Sequence, residues 1–145
     1  MTDGDRIRNL LGRYCDLMDA GDWPGIGALF ARGRLVTDDG TELAAGDAAV
    51  ADFYARGTQL HDGSPRTKHL VVNTVLDEPA VDGTVEARSS FLVLQAVEGV
   101  PLRPIITGRY VDRFARDGDG GWYFVERAFA VDLVGDLSRH LRYSL

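Results

Sequence analysis

The first third of the chain carries hydrophobic residues at helical spacing. Residues about 4 to 19 follow the i, i+3, i+4, i+7 pattern of an amphipathic helix, with one apolar face made of Ile7, Leu10, Leu11, Tyr14 and Met18. Gly21 is typical of a helix end. Asp22 then caps a short second helix that has Pro24 in its first turn. Its apolar side chains are Ile26, Leu29 and Phe30.

A short strand and a third helix are predicted next. Arg34 to Thr37 form a candidate strand, and Asp39-Gly40 is a turn signal. Asp47 is placed to cap a helix whose inward residues are Ala49, Val50, Phe53 and Tyr54. Residues 57 to 65 contain glycine, serine and proline, and this composition predicts a loop.

The second half of the chain has the pattern of β-structure. Long runs with strand character cover residues 66–77, 84–98, 103–116 and 121–134, and turn sequences separate them. Long antiparallel strands joined by short turns give a strongly bent sheet, whose apolar face the N-terminal helices can cover. We therefore expect an α+β fold: a cone-shaped α+β barrel with N-terminal helices packed on a strongly curved, mainly antiparallel sheet. One domain should cover residues 1–145. The mouth of such a cone is a natural small-molecule pocket.

Composition narrows the classes of partner. The chain has 145 residues and a net charge of −6, and it contains no basic cluster, so nucleic acid and anionic membrane are not expected partners. There is no signal-peptide pattern and no apolar run of the ~20 residues that a spanning helix needs, so we expect a cytoplasmic protein. The single cysteine, Cys15, excludes an internal disulfide and a Cys-rich zinc site. Nucleotide-binding motifs are also missing, and we expect no cofactor and no metal.

One histidine stands out. His69 lies in the run T-K-H-L-V-V-N, which otherwise has the character of a buried strand. Strand alternation would place Thr67, His69, Val71 and Asn73 on one face. An imidazole at such a position is suited to general-base work because it titrates near neutral pH. The alternative is a core histidine that is satisfied by a backbone carbonyl.

Four segments, taken in order, resemble the SnoaL-like branch of the nuclear transport factor 2-like superfamily. They are Y-C-D-L-M-D-A-G-D-W (14–23), T-K-H-L-V-V-N (67–73), G-R-Y-V-D-R-F (108–114) and G-W-Y-F-V-E-R (121–127). The resemblance covers nearly the whole chain. The superfamily includes scytalone dehydratase, bile-acid dehydratase, lindane dehydrochlorinase, ketosteroid isomerase, polyketide cyclases and the noncatalytic β-subunits of ring-hydroxylating dioxygenases. Because these members catalyse different reactions or none, the resemblance implies the fold more specifically than the reaction.

The resemblance also implies particular site residues. Dehydratase-type members pair a histidine on the first long strand with an aspartate near the end of the first helix, and these positions fall on His69 and Asp19. The bile-acid dehydratase adds a tyrosine on that helix, which falls on Tyr14, and an arginine on the last strand, which falls on Arg127. Its further aspartate on the second long strand has no counterpart, since residues 87–90 are Ala-Arg-Ser-Ser.

Each candidate also has a purely structural interpretation. Asp19 lies off the apolar stripe of the first helix, and Tyr14 lies on it as a core residue would. Trp122 has the opposite strand parity from Arg127, so strict alternation would admit only one of them to the cone. We expect Cys15 to be a buried filler and His140 to be a surface or subunit-contact residue. The candidate substrate-binding residues are Asn73, Arg127, Tyr54, Phe53 and Phe91.

The expected function is that of a cofactor-free, dehydratase-like lyase or isomerase. Asp19 and His69 would form the general base, and Tyr14 would donate a hydrogen bond to a small, apolar, oxygenated substrate in polyketide or steroid-like metabolism. The alternatives are a polyketide cyclase and a noncatalytic ligand-binding or dioxygenase β-subunit-like module. By resemblance we also expect a homodimer or homotrimer.

Overall fold

The computed structural model describes residues 1–145 and has three helices and six strands. In chain order the elements are α1 (Asp3–Ala20), α2 (Trp23–Leu29), β1 (Arg34–Thr37), β2 (Glu42–Ala45), α3 (Asp47–Gly57), β3 (Thr67–Leu76), β4 (Val85–Val97), β5 (Val100–Arg116) and β6 (Trp122–Val134). The strands form one sheet in the order β2-β1-β6-β5-β4-β3. Only β1 and β6 run parallel. The predicted cone-shaped α+β fold is confirmed. None of the helices combines the length and apolar character of a membrane-spanning segment.

Helix α1 is closed at both ends by local hydrogen bonds. At its start the Thr2 side chain accepts a hydrogen bond from the Asp5 amide, and the Asp5 carboxylate accepts one from the Thr2 amide. At its end Gly21 adopts a left-handed conformation with φ of 67°. The buried face of α1 packs against β3 and consists of Ile7, Leu11, Tyr14, Cys15 and Met18. The end of α1 is therefore held beside the strand that carries His69.

The core is an aromatic and aliphatic cluster between the helices and the sheet. The rings of Phe30 and Phe124 stack with centroids 4.6 Å apart, and Phe114 packs beside them. Near the cone mouth, Gly108 lies under the Phe91 ring, and a Cβ there would collide with that ring and with the Ala130 carbonyl. The missing side chain thus leaves room for the Phe91 ring at this point of the sheet.

Several details differ from the sequence prediction. Strand β2 was not expected, and it pairs with β1 after the turn. The N-cap of helix α3 is Gly46, which offers no side-chain hydrogen bond, and Asp47, the predicted cap, is the first helical residue. Ala49, which was predicted to face inward, is exposed, whereas Val50 and Tyr54 are buried. The inward face of α3 therefore consists of Val50, Phe53 and Tyr54, without Ala49.

Two register shifts change which side chains point inward. In β3 the pairing with β4 is irregular between Val72 and Val75, and Asn73 between them has a φ of 55°. In β6, Phe124 pairs with Phe114 and Glu126 pairs with Arg113, so Val125 between them is an extra residue. The inward and outward positions along β6 therefore exchange at this point. As a result Phe124 and Arg127 are both fully buried. Trp122 also packs against the core, so the expectation that only Trp122 or Arg127 faces inward was wrong.

Candidate active site

His69 and Asp19 form a close pair between β3 and the end of α1. His69 Nδ1 lies 2.6 Å from Asp19 Oδ1, and the two side chains are 6% and 16% exposed. The Asp19 carboxylate also accepts hydrogen bonds from the His69 amide at 3.0 Å and from the Thr67 hydroxyl at 2.9 Å. Asp19 reaches the strand, although it is off the apolar stripe, because α1 ends one residue later.

This set of contacts determines the orientation of the imidazole. The carboxylate is an acceptor, so Nδ1 is the nitrogen that donates to it and Nε2 keeps its lone pair. His69 Nε2 makes no hydrogen bond to the protein. The pair therefore leaves a basic nitrogen free on a ring that also lines a cavity.

The cavity lies between α1, α3, the sheet and the C-terminal segment, and has a volume of about 130 Å³. Its lining is mainly hydrophobic. The residues important for its chemistry are Tyr14, Phe53, Tyr54, His69, Phe91 and His140. Five of these six are predicted site residues, and His140 is not. Asp19 lies behind His69 and does not line the cavity.

Two of the tyrosines that line the cavity are hydrogen-bonded to each other. The hydroxyl oxygens of Tyr14 and Tyr54 are 2.7 Å apart, so one hydroxyl donates to the other. Burial raises the pKa of Tyr14, with partial opposition from the Arg127 charge, and burial also raises the pKa of Tyr54. Both phenols are therefore protonated at neutral pH. The pair retains one O–H that a bound molecule can accept.

Arg127 lies in the core and does not line the cavity. Its guanidinium donates two hydrogen bonds to Asp112, from Nε at 2.7 Å and from Nη2 at 2.9 Å, and both side chains are fully buried. Although burial disfavours its charge, the Asp112 carboxylate holds the pKa of Arg127 above its ordinary value. The guanidinium carbon lies 4.2 Å from the Tyr14 ring centroid and 3.6 Å from that of Tyr110. Instead of the predicted substrate contact, Arg127 contacts two tyrosines that line the cavity, Tyr14 and Tyr110.

Asn73 also lies outside the cavity. The irregular pairing of β3 ends the inward alternation before this residue, and its side chain is exposed. Thr74 replaces it on the inner side and bonds to Ser89 at 3.0 Å. Asn73 is therefore a bulge residue, because asparagine tolerates the left-handed conformation that the bulge requires.

Sequence reasoning missed two residues near the site. Asp112 has the same strand parity as Tyr110 and Phe114, and this parity was the available signal for its burial. His140 was expected at the surface or at a subunit contact, yet it is 6% exposed and lines the cavity. Its spacing from Leu137, as i and i+3, was a weak signal of an inward-facing turn.

His140 stands close to His69. Their ring centroids are 6.2 Å apart. Burial lowers the pKa of His140 to about 4, and the neighbouring His69 adds to this effect. His140 is therefore neutral at neutral pH.

Cys15 is buried as predicted, and burial raises the pKa of its thiol to about 11, so it is not a thiolate nucleophile.

Known structures share this architecture. A variant of Rv3472, a Mycobacterium tuberculosis protein of unknown function, is 26% identical with a TM-score of 0.70, over 89% of this chain and 71% of that one. An NTF2-like protein with a cystatin-like fold from Novosphingobium aromaticivorans is 25% identical with a TM-score of 0.70, over 94% and 86% of the two chains. ActVI-ORFA from Streptomyces coelicolor shares the fold at 24% identity with a TM-score of 0.70, over 88% and 96%.

Three helices packed on a curved, mainly antiparallel sheet place the chain among NTF2-like proteins. The model of the SnoaL-like domain matches residues 1–128, and the chain belongs to the SnoaL-like family. That family includes dehydratases, isomerases and cyclases, beside many proteins of unknown function.

Proposed function

We propose that this protein is a cofactor-free lyase or isomerase in which His69, held by Asp19, removes a proton from carbon. The observation that supports this proposal is the 2.6 Å contact between His69 Nδ1 and Asp19 Oδ1, with Nε2 left free on a cavity wall. A general base of this kind contributes roughly 10²–10⁴-fold to a rate. Positioning in a largely dry pocket supplies a further part of the acceleration.

In the proposed reaction each residue of the pair has its own task. Asp19 stabilises the imidazolium that forms when Nε2 takes the proton, and it keeps the ring in one tautomer. Because the His69 amide and Thr67 also donate to this carboxylate, the aspartate itself is held in place. The protonated His69 then returns the proton to a leaving hydroxyl, which gives elimination of water, or to another carbon, which gives isomerisation.

The tyrosine pair is proposed to stabilise the negative charge that develops on the substrate. The free O–H of the Tyr14–Tyr54 pair donates to a carbonyl oxygen next to the carbon that loses the proton. Arg127 supports this step from outside the cavity, since its charge lies over the Tyr14 ring and makes the phenol a stronger donor. The mainly hydrophobic lining and the small volume favour a small, largely apolar molecule with one or two oxygen atoms.

A test that needs no knowledge of the natural substrate uses 5-nitrobenzisoxazole. In this probe a base takes the proton from carbon, the C–H electron pair completes a nitrile, the N–O bond breaks, and the oxygen leaves as a coloured phenolate. We expect wild type to accelerate this release and His69→Gln to lower the rate roughly 10²–10⁴-fold while remaining folded. Asp19→Asn should fall between the two.

The control is Asp16→Asn, which changes an exposed carboxylate one turn earlier on α1 and should keep the wild-type rate. Equal rates in wild type and His69→Gln would overturn the general-base proposal.

The alternative of a noncatalytic binding module predicts a different site. It would be favoured by a solvent-exposed His69 or by an Asp19 carboxylate distant from the ring. Instead His69 is 7% exposed as a residue and contacts Asp19 directly. These two observations support the enzyme proposal over the binding module, whereas a cyclase acting on a polyketide would use the same residues.

A further inference from the structure

The cavity contains a second histidine on its wall. His140 comes from the segment after β6, and its ring faces that of His69 at a centroid distance of 6.2 Å. The ring is tilted by 60° from that of His69, and no hydrogen bond joins the two. Two imidazoles therefore approach the same small space from different elements.

The backbone around His140 is held by the body of the protein. The side-chain amide of Gln59 donates hydrogen bonds to the carbonyls of Ser138 at 2.8 Å and Leu141 at 2.6 Å. The backbone amide of Gln59 donates to the carbonyl of His140 at 2.8 Å. Gln95 donates to the carbonyl of Arg139 at 3.0 Å. Four consecutive carbonyls are thus bound, and these contacts hold the backbone that carries the His140 ring.

The two ring nitrogens of His140 have different surroundings. Nδ1 is completely buried and has no hydrogen-bond partner. Nε2 has no partner in the protein either, but it is not completely buried, and the residue lines the cavity. A buried N–H without an acceptor is rare and costly, so a neutral ring should carry its proton on Nε2. The ring is neutral at neutral pH, as its lowered pKa of about 4 requires.

We propose that His140 contacts the substrate as a neutral hydrogen-bond donor, with Nε2–H directed at the oxygen on which negative charge develops. This inference rests on the proposed function for the reaction and adds a residue to it. His69 is then the base and His140 is a donor, although both are histidines. Together with the tyrosine O–H, His140 would form a two-donor site for a carbonyl oxygen or a phenolate.

The division of roles follows from what each Nδ1 contacts. At His69 the carboxylate of Asp19 attracts the proton to Nδ1, which leaves Nε2 as a base. At His140 nothing binds Nδ1, so Nε2 keeps the proton. A substrate bound between them would have its C–H directed to His69 and its oxygen directed to His140.

Ring-nitrogen NMR of uniformly 15N-labelled protein tests the tautomer directly. We expect the His140 signals, assigned by their loss in His140→Gln, to show an Nε2–H tautomer that does not change between pH 5.5 and 8. A protonated Nδ1 in the neutral ring, or a ring that titrates within this range, would overturn the proposal.

Turnover of 5-nitrobenzisoxazole tests the contact. His140→Phe keeps an aromatic ring and removes the donor, and it should lower kcat roughly 10²-fold. His140→Gln offers an amide N–H and should restore part of that loss. The control Arg139→Gln changes the exposed neighbour in the same segment and should leave the rate unchanged.

The two proposals fail in different ways. A wild-type rate that depends on His69 but not on His140 would overturn the donor role and leave the general base in place. A rate that is independent of His69 would overturn the proposed function, and the NMR tautomer would then decide the state of His140 alone. If His140→Phe does not fold, the NMR measurement on wild type still decides.

Discussion

Two pairs of a carboxylate and a basic side chain lie close together in this protein, and they serve different ends. Asp19 contacts His69 at 2.6 Å, and Asp112 contacts Arg127 at 2.7 Å. The second pair is completely buried, whereas the first is slightly exposed and adjoins the cavity. Similar contact distances therefore accompany a core ion pair in one case and a candidate proton-transfer site in the other.

The difference lies in which nitrogen remains free and in what it faces. His69 keeps Nε2 toward the cavity, where a substrate can reach it. Arg127 keeps Nη1 inside the core without a partner, and its charge is balanced by Asp112 and by the faces of Tyr14 and Tyr110. Through Tyr14 and Tyr110, the core pair supports the cavity wall without lining the cavity itself.

The largest effect on stability should come from breaking the core pair. Asp112→Ala leaves the Arg127 charge buried without a counter-ion, and we expect it to lower the free energy of unfolding by about 3–5 kcal/mol. Replacing both partners, with Asp112→Leu and Arg127→Met, should recover most of this loss because no uncompensated charge remains. Urea unfolding of the three proteins measures the effect.

A matched control lies on the same two strands. Arg109 on β5 and Asp132 on β6 form a pair of the same type at 3.0 Å, but its side chains are 60% and 40% exposed. Asp132→Ala should change the stability by less than about 1 kcal/mol. An equal loss of stability in Asp112→Ala and Asp132→Ala would contradict the distinction between a buried ion pair and an exposed one.

The second-largest expected effect is a pH dependence of stability, and it comes from His140 on the cavity wall. The pKa of His140 is lowered by burial and by His69 to about 4, from an ordinary value of 6.5. As the pH falls below that ordinary value, His140 binds a proton in the unfolded chain but stays neutral in the folded chain. The free energy of unfolding therefore decreases between about pH 6.5 and 4. The loss from this group approaches about 3 kcal/mol. Asp19 opposes the shift, and His69 and His61 add to it.

Stability measured in urea from pH 7 to pH 4 tests this assignment. The slope of stability against pH should be smaller in His140→Gln than in wild type, whereas Arg139→Gln should keep the wild-type slope. Identical slopes in wild type and His140→Gln would show that His140 is not the group responsible.

The sequence predicted the cavity pair better than the core pair, and the reason is physical. His69 and Asp19 were placed by strand alternation, by the end of α1 and by family resemblance, and none of these depends on a distant register. Arg127 and Asn73 were misplaced because bulges in β6 and β3 change the alternation, and a bulge leaves little trace in a local pattern. His140 was missed because long-range hydrogen bonds from Gln59 and Gln95 position its segment.

The smallest predicted effect marks the edge of the cavity wall on β3. Asn73 has a φ of 55°, which glycine adopts freely and alanine does not. Asn73→Ala should therefore lower the free energy of unfolding by about 1 kcal/mol, and Asn73→Gly should change it little. Both variants should turn over 5-nitrobenzisoxazole at the wild-type rate, because the side chain is exposed and lies beyond the point where β3 stops facing the cavity. A rate loss in Asn73→Gly without a stability loss would instead make Asn73 a substrate contact, and the part of the cavity wall that β3 forms at His69 would extend past the bulge.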